Sequence, residues 1–459
     1  MAATALAPPS LLVPQARVRK RRAARILWTG IRHSAVLGGR IVRNPRGGLA
    51  GPGASEMRRA FEHLGPTFVK FGQVIASSPA FPPRLVDEFE RCLDQVRPEP
   101  TELVRRTVEE AIGDIDRHFS RVDWTPLAAG SIAQVYRAWG HDGEALVLKV
   151  QRRDLEAVLR NDVRMLHLGA RAVTRVVPSL RSMNPVGVVE DFAVTLAQEL
   201  SFTEEATQME RLAEALRHWP VRVPEVRWDM TTSTVLTMTH LEGVKISDLN
   251  GLDRYGVDRA KLIDTVFGLL LYTACRHGYF HGDMHAGNII VQPDGQVGLL
   301  DFGIVGELPG VLRLQVSELL QCLFEERWDR LAPLCFEMAE MEGVDLEAAI
   351  GDLTQVAEKY LSMPLHEMPL AEMVGDILQR CNKYGFVLPS DVILFFKSLM
   401  YLDGLGIRIH PGYEVLNPEH GLALMPFLAL ETGGSPIGQE PTHGYRHVLV
   451  RDPEALEDN

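Results

Sequence analysis

From residue 56 to 122 apolar positions recur at helical spacing, and the pattern breaks at Pro66, Pro79, Pro82, Pro83 and Pro98, where a helix cannot run on undisturbed. The period then changes. Residues 123–243 read as two or three strands, helices around 154–180 and 186–218, and further strands near Val226 and over 235–238. From 244 to 415 the spacing is helical again, with one exception. Asn288, Ile289, Ile290 and Val291, a turn at Pro293-Asp294-Gly295, and the apolar stretch 297–300 spell a β-hairpin. The uncharged stretch 265–275 is too short to span a bilayer and reads as a buried helix leading into that region. Strands confined to two places in a helical chain predict an α+β fold. The expected divisions are an arm at 1–55, a helical extension at 56–122, a smaller lobe at 123–243, a largely helical lobe at 244–415 and a mobile Pro/Gly-rich, then acidic, tail at 416–459. No internal repeat is visible.

Composition adds bounds to this pattern. At 459 residues and 46% hydrophobic content the chain can bury a large core, and one two-lobed fold with added helices accounts for its length. Five cysteines, at 92, 275, 322, 335 and 381, form no C-x-x-C pair, so neither a disulfide framework nor a zinc site is expected, and a reducing compartment such as the cytoplasm is. No run of about 18 apolar residues exists, so no transmembrane helix is expected. The stretch 421–430 is short and broken by Pro426.

Charge divides the chain sharply. No acidic residue precedes Glu56, whereas Arg17, Arg19, Lys20, Arg21, Arg22, Arg25, Arg32, Arg40, Arg43 and Arg46 are all basic. The remainder carries 38 of the 48 basic residues against all 60 acidic ones, a net of −22. Interleaved with Ile26, Leu27, Trp28, Ile31, Val36, Leu37, Ile41 and Val42, the arm is either poorly ordered or a basic amphipathic helix suited to an anionic membrane surface. Docking on the acidic body, nucleic-acid binding and a targeting peptide are the competing uses of such an arm. Nucleic acid is not the expected partner, and oligomeric state is left open.

The candidate chemistry lies on and around the hairpin. His281-Gly282-Asp283-Met284-His285-Ala286-Gly287-Asn288, followed by Asp301-Phe302-Gly303, sets an Asp, an Asn five residues on and a second Asp at the spacing that phosphoryl transfer needs. Asp283 would orient the attacking group. Asn288 and Asp301, at one end of two paired strands, would hold Mg²⁺. A lone Asp-Phe-Gly is common by chance and a lone Asp before a strand is usually a turn former, but the two spaced elements together exceed what turn chemistry explains. Upstream, Ala128, Ala129, Gly130 and Ser131 offer a small-residue loop whose backbone can approach phosphates, and Lys149 near the end of the apolar strand 145–150 offers the cation. Taken alone, such a loop is most often just a turn and such a lysine a snorkelling edge residue. The loop departs from G-x-G-x-x-G. Together these residues predict a site for ATP with Mg²⁺.

These motifs resemble the UbiB/AarF family of atypical kinase-like proteins over roughly 56–413. The family's K-x-G-Q signature stands as Lys70-Phe71-Gly72-Gln73, its alanine-rich loop as Ala128-Ala129-Gly130-Ser131, and its H-G-D-x-H-x-G-N loop as residues 281–288. The resemblance implies a two-lobed protein-kinase-like fold with a helical N-terminal extension and a largely helical C-terminal lobe. It further implies that Lys70 and Gln73 cover the face where a protein substrate would dock, with Glu199 as partner of Lys70 and Glu205 as partner of Lys149. On one helix Glu199 and Glu205 would point about 120° apart and so address two lysines. In the hinge at 235–243, adenine would bond mainly to backbone, near Met238 and His240.

Three positions depart from the family pattern: Ser201 where an Asp is expected, Gly130 where a third alanine is usual, and Thr239 where an acidic residue is common. The implied activity is an ATPase or phosphotransferase supporting quinone or isoprenoid-lipid metabolism, with a lipid or quinone precursor as possible substrate. It would act in the cytoplasm or peripherally at the inner face of the membrane. Some family members carry C-terminal membrane helices, and none is expected here. Two other functions remain open. One is a small-molecule phosphotransferase of aminoglycoside or choline kinase type, against which the Lys70–Gln73 signature speaks; the other is a nucleotide-gated scaffold without turnover.

Overall fold

The computed structural model describes residues 20–43, 50–77, 88–89, 98–153, 155–176, 185–198, 200–325, 327 and 388–412, with short pieces between 334 and 384. The chain forms two compact units, Met1–Ala206 with Val226–His240, and Thr207–Glu225 with Leu241–Asn459.

The first unit holds an antiparallel sheet of β1 (Arg121–Ala129), β2 (Ala133–Trp139), β3 (Ala145–Gln151) and β5 (Val235–Thr239), in the order β1-β2-β3-β5. Period-two alternation divides its side chains between two faces. Tyr136, Ala138, Leu146, Leu148, Val150 and Val235 point to one, where they pack on Val104, Val108, Ile115 and Phe119 from α4 (Thr101–Ile112), α5 (Ile115–His118) and the residue that ends it. The register pairs Val135 with Lys149 and Lys149 with Leu236, and Arg137 with Val147 and Val147 with Met238, so these side chains share the opposite face. Lys149 therefore stands on the face turned away from the apolar layer.

A second apolar layer joins the helical extension to the segment between β3 and β5. Val69, Phe71 and Ile75 of α3 (Pro66–Ser77) pack with Leu155, Leu159 and Val163 of α6 (Leu155–Val176) and Val189, Phe192 and Leu196 of α7 (Pro185–Gln198). Ahead of them run α1 (Lys20–Arg43) and α2 (Ala50–Leu64), so the arm is helical over 20–43. Gly65 turns the chain from α2 into α3 at φ 100°, and Pro66 takes the first helical position, where its missing N–H costs nothing.

The single helix expected over 186–218 is two. α7 stops at Gln198 and α8 (Phe202–Ala215) starts afresh, because the Ser201 carbonyl accepts the N–H groups of Glu204 and Glu205 and its hydroxyl meets Thr203 Oγ1 at 2.9 Å. Serine and aspartate are both strong helix starters, so Ser201 keeps the break that an Asp would make.

The second unit is mainly helical around a small sheet of β4 (Val221–Arg222), β9 (Val297–Leu299), β8 (Ile289–Val291) and β6 (Val244–Lys245), in that order. β4 runs parallel to β9 and the other pairs are antiparallel. After β6 come α9 (Leu249–Tyr255) and α10 (Arg259–Tyr272), started by the side chains of Asp248 and Asp258. α10 is buried on all sides over Thr265–Leu271, as the uncharged stretch 265–275 predicts, and ends in a π turn over Thr273–His277 that Gly278 stops at φ 75°. β7 (Tyr279–His281) then pairs with β10 (Val305–Glu307), and α11 (Gly310–Phe324) and α12 (Ser390–Ile409) complete the described part. No helix among the described residues is long and apolar enough to cross a membrane. The tail beyond 416 and the stretch 421–430 lie outside the described residues.

Candidate functional site

In the first unit the site is built around an ion pair. Lys149 Nζ lies 2.8 and 3.0 Å from the two carboxylate oxygens of Glu205, with Lys149 12% and Glu205 5% exposed. β3 supplies the lysine, and the first turn of α8 supplies the glutamate, where the helix dipole also favours negative charge. The ammonium further lies 5.4 Å from the centroid of Phe202. A buried pair of this kind is costly to break singly, about 3–5 kcal/mol, because the survivor is left charged in a dry place.

Beside it lies the small-residue loop. Ala128 and Ala129 end β1 opposite Val135 and Gln134, and Gly130 opens a tight turn by donating its N–H to the Ala133 carbonyl at 2.9 Å. Arg152 clamps this turn twice. Its Nε donates to the Gly130 carbonyl and its backbone N–H to the Ile132 carbonyl, both at 2.9 Å. Ser131 is buried within the turn. Arg152 follows Lys149 by three residues, and no motif in the sequence marked it.

At the far edge of the sheet, Met238 is buried in β5. The His240 N–H donates to the Ala145 carbonyl at 2.9 Å, and His240 Nε2 lies 3.0 Å from the Arg137 guanidinium. Because the His240 amide faces β3, strand alternation turns the Thr239 carbonyl to the other edge, the side on which Thr237 meets Arg227 and Thr231. Thr239 thus joins Met238 and His240 as a candidate for base recognition.

Lys70 is half-buried on α3. Gln73 lies on the same helix three residues on, and its side chain is outside the described set, as is Glu199.

In the second unit the hairpin forms in the register the sequence suggests: Ile289 opposite Leu299, Ile290 opposite Gly298, Val291 opposite Val297. The Leu300 N–H then donates to the Asn288 carbonyl at 2.8 Å, which fixes Asn288 and Asp301 at the same end of the ladder. Asn288 is buried, and its Nδ2 donates to the backbone and side-chain oxygens of Asp283, each at 3.1 Å. With the amide nitrogen committed to Asp283, Oδ1 is what Asn288 can offer a cation.

His281 ties the loop to the strand that follows. Its Nδ1 accepts the Asp283 N–H at 3.1 Å, so its Nε2 carries the proton and donates to the Leu300 carbonyl at 3.1 Å. Burial keeps this imidazole neutral by pushing its pKa down, against the upward pull of the Leu300 carbonyl and of Asp283 and Asp301. Its ring also packs 5.2 Å from that of Phe302. His285 accepts the Gly287 N–H at Nδ1 and sits 3.6 Å from Asp283 Oδ2 through Nε2.

Asp301 has φ 53°, the one positive value at a non-glycine residue among those described, and its Oδ1 accepts the Gly303 N–H at 3.3 Å. Backbone strain held at an exposed acid marks functional sites more often than structural ones. Gly282 is required by packing, since a methyl group there would lie 2.7 Å from Leu394 Cδ2 and 2.9 Å from Ile304 Cγ2.

Each unit offers groups of the kind that a magnesium nucleotide needs. Among the described residues no three His, Cys, Asp or Glu side chains gather closely enough to hold a metal alone. An Asp–Asn pair of oxygen donors is instead the sparse set Mg²⁺ accepts, with water and phosphate oxygens filling its other positions. Asp301 and Asn288 could be that pair, and Lys149, fixed by Glu205, could meet phosphate.

Comparison with known proteins agrees with this geometry. Residues 91–334 match the ABC1 atypical kinase-like domain, and residues 353–414 match the UbiB helical domain. An uncharacterized protein of Mycobacterium tuberculosis is 33% identical over 79% of this chain and 76% of its own. Relatives named probable protein kinase UbiB include one from Aliivibrio fischeri, 31% identical over 78% of this chain and 68% of its own, and one from Xylella fastidiosa, 32% identical over 78% and 67%. A solved Mycobacterium tuberculosis protein in complex with erythromycin shares the fold at TM-score 0.50 and 23% identity, covering 68% of this chain and 80% of that one. With the ABC1 domain spanning more than half its length and relatives of this similarity along most of it, the chain belongs to the UbiB family of ABC1 atypical kinase-like proteins.

Proposed function

We propose that this protein binds ATP with Mg²⁺ and transfers or releases the terminal phosphoryl group in support of quinone or isoprenoid-lipid metabolism at a membrane surface. The observation that carries the proposal is the Asp283–Asn288 hydrogen-bonded pair at the end of the hairpin that also carries the strained Asp301. The buried Lys149–Glu205 pair supports it as a cation held ready for phosphate.

In this scheme Lys149 binds the phosphates and Glu205 keeps its ammonium in place. The clamped turn at Gly130 and Ser131 covers the phosphates, and the Met238–His240 segment takes the base through its backbone. Asn288 and Asp301 would hold Mg²⁺, which when bound would offset the phosphate charge. Asp283, oriented by Asn288 and His285, accepts the proton of the attacking hydroxyl or water as its oxygen bonds to phosphorus and ADP departs. Almost all of the rate gain would come from positioning and charge. Lys70 and Gln73 disfavour a peptide as acceptor, which leaves water or a lipid-derived hydroxyl.

Phosphate release, measured with and without anionic liposomes and a phenolic quinone precursor, tests the proposal. Stimulated release that falls roughly a hundredfold in Asp301→Asn is expected. Transfer to an amino-sugar or choline instead would replace the proposed substrate class, and tight ATP binding without turnover under any condition would reduce the protein to a nucleotide-gated scaffold.

A further inference from the structure

Helix α1 is docked inside out. At about 100° per residue, Arg22, Ile26, Thr29 and His33 form one stripe, and this mostly polar stripe faces the body. Arg22 donates to both carboxylate oxygens of Asp162 on α6 at 2.8 and 2.6 Å, and to the Leu64 carbonyl at 2.7 Å; Asp162 is fully buried. His33 lies 3.0 Å from buried Glu56 and 3.2 Å from His63, and Arg25 donates to the His63 carbonyl. The opposite stripe carries Leu27, Trp28 and Ile31, which are 60, 62 and 69% exposed. An ordinary surface helix buries such residues and exposes its arginines.

We infer that the Leu27–Trp28–Ile31 face of α1 is a docking surface for an anionic lipid bilayer. Charge complementarity selects that partner: the first 55 residues hold ten basic and no acidic residues, and exposed Arg25 and Arg32 border the Trp28 side of the apolar stripe, with Arg32 5.7 Å from the Trp28 ring. Tryptophan and aliphatic residues rimmed by arginine suit the headgroup boundary, where the rings enter the acyl edge and the guanidinium groups meet lipid phosphates. The Arg22–Asp162 pair links this face to α6, and through the apolar layer to α3, which carries Lys70. The inference rests on the membrane part of the proposed function and names its surface; it is independent of nucleotide chemistry.

Flotation of the full-length protein, without nucleotide, on vesicles of phosphatidylcholine alone or mixed with phosphatidylglycerol tests it. The wild type should bind only the mixed vesicles, less as salt rises, and Trp28→Ser/Ile31→Ser should lower its partition about tenfold while keeping the thermal melt. Leu168→Ser, which alters another exposed apolar residue on α6, should bind as the wild type does. Undiminished binding by the double variant, equal binding to neutral vesicles, or no binding at all would overturn the inference. So would a wild-type dimer that the double variant turns into a monomer, since a second copy would then cover the face. Asp301→Asn should float as the wild type does, which separates failure here from failure of the nucleotide proposal.

Discussion

At the scale of single residues, the Lys149–Glu205 pair is the buried ion pair of the site. Either Lys149→Met or Glu205→Leu should destabilise the first unit by about 3–5 kcal/mol in urea unfolding, because each leaves one buried charge without its partner. The double variant should recover at least half of that loss, since no charge then remains to be desolvated. Additive losses would show that the two side chains do not depend on one another. Lys149 and the acids of the loop could be singled out from the sequence because the chemistry expected of them is tied to spacing along the chain. Arg152 was not, because its task, holding the Gly130 and Ile132 carbonyls, depends on a turn whose shape appears only once β1 and β2 pair.

Among the elements, the hairpin of β8 and β9 was readable because it is local: two apolar runs and a Pro-Asp-Gly turn leave one register. Period alone did not locate the break between α7 and α8, since both helices keep helical spacing; the stop depends on Ser201 starting a new helix. Whether α1 would turn its apolar side toward the body was equally beyond periodicity. The outcome depends on Asp162 and Glu56, distant acids that outcompete apolar contacts for the inner face. The loop between β7 and β8 also relies on a distant element. Gly282→Ala would push a methyl group against Leu394 of α12 and should cost about 1–3 kcal/mol. Leu394→Ala should relieve most of this strain in the double variant, and a double variant as unstable as the sum of the singles would exclude that contact as the cause.

For the molecule as a whole, the sequence signalled the kinase-like fold and the family, and the structure and the relatives confirm both. The chain keeps a lysine–glutamate pair in one unit and an Asp–Asn–Asp set in the other. It carries its positive charge in the arm, on an otherwise acidic sequence. Hydrophobic burial explains two apolar layers, but not why Asp301 keeps a left-handed backbone or why Asn288 turns its amide to Asp283. The proposed nucleotide site would use both. Calorimetric titration of the full-length protein with ATP tests this most directly. One saturable site that requires Mg²⁺, and that weakens about tenfold or more in both Lys149→Met and Asp301→Asn, is the predicted result. Absence of uptake by the wild type, or uptake that neither substitution alters, would contradict it.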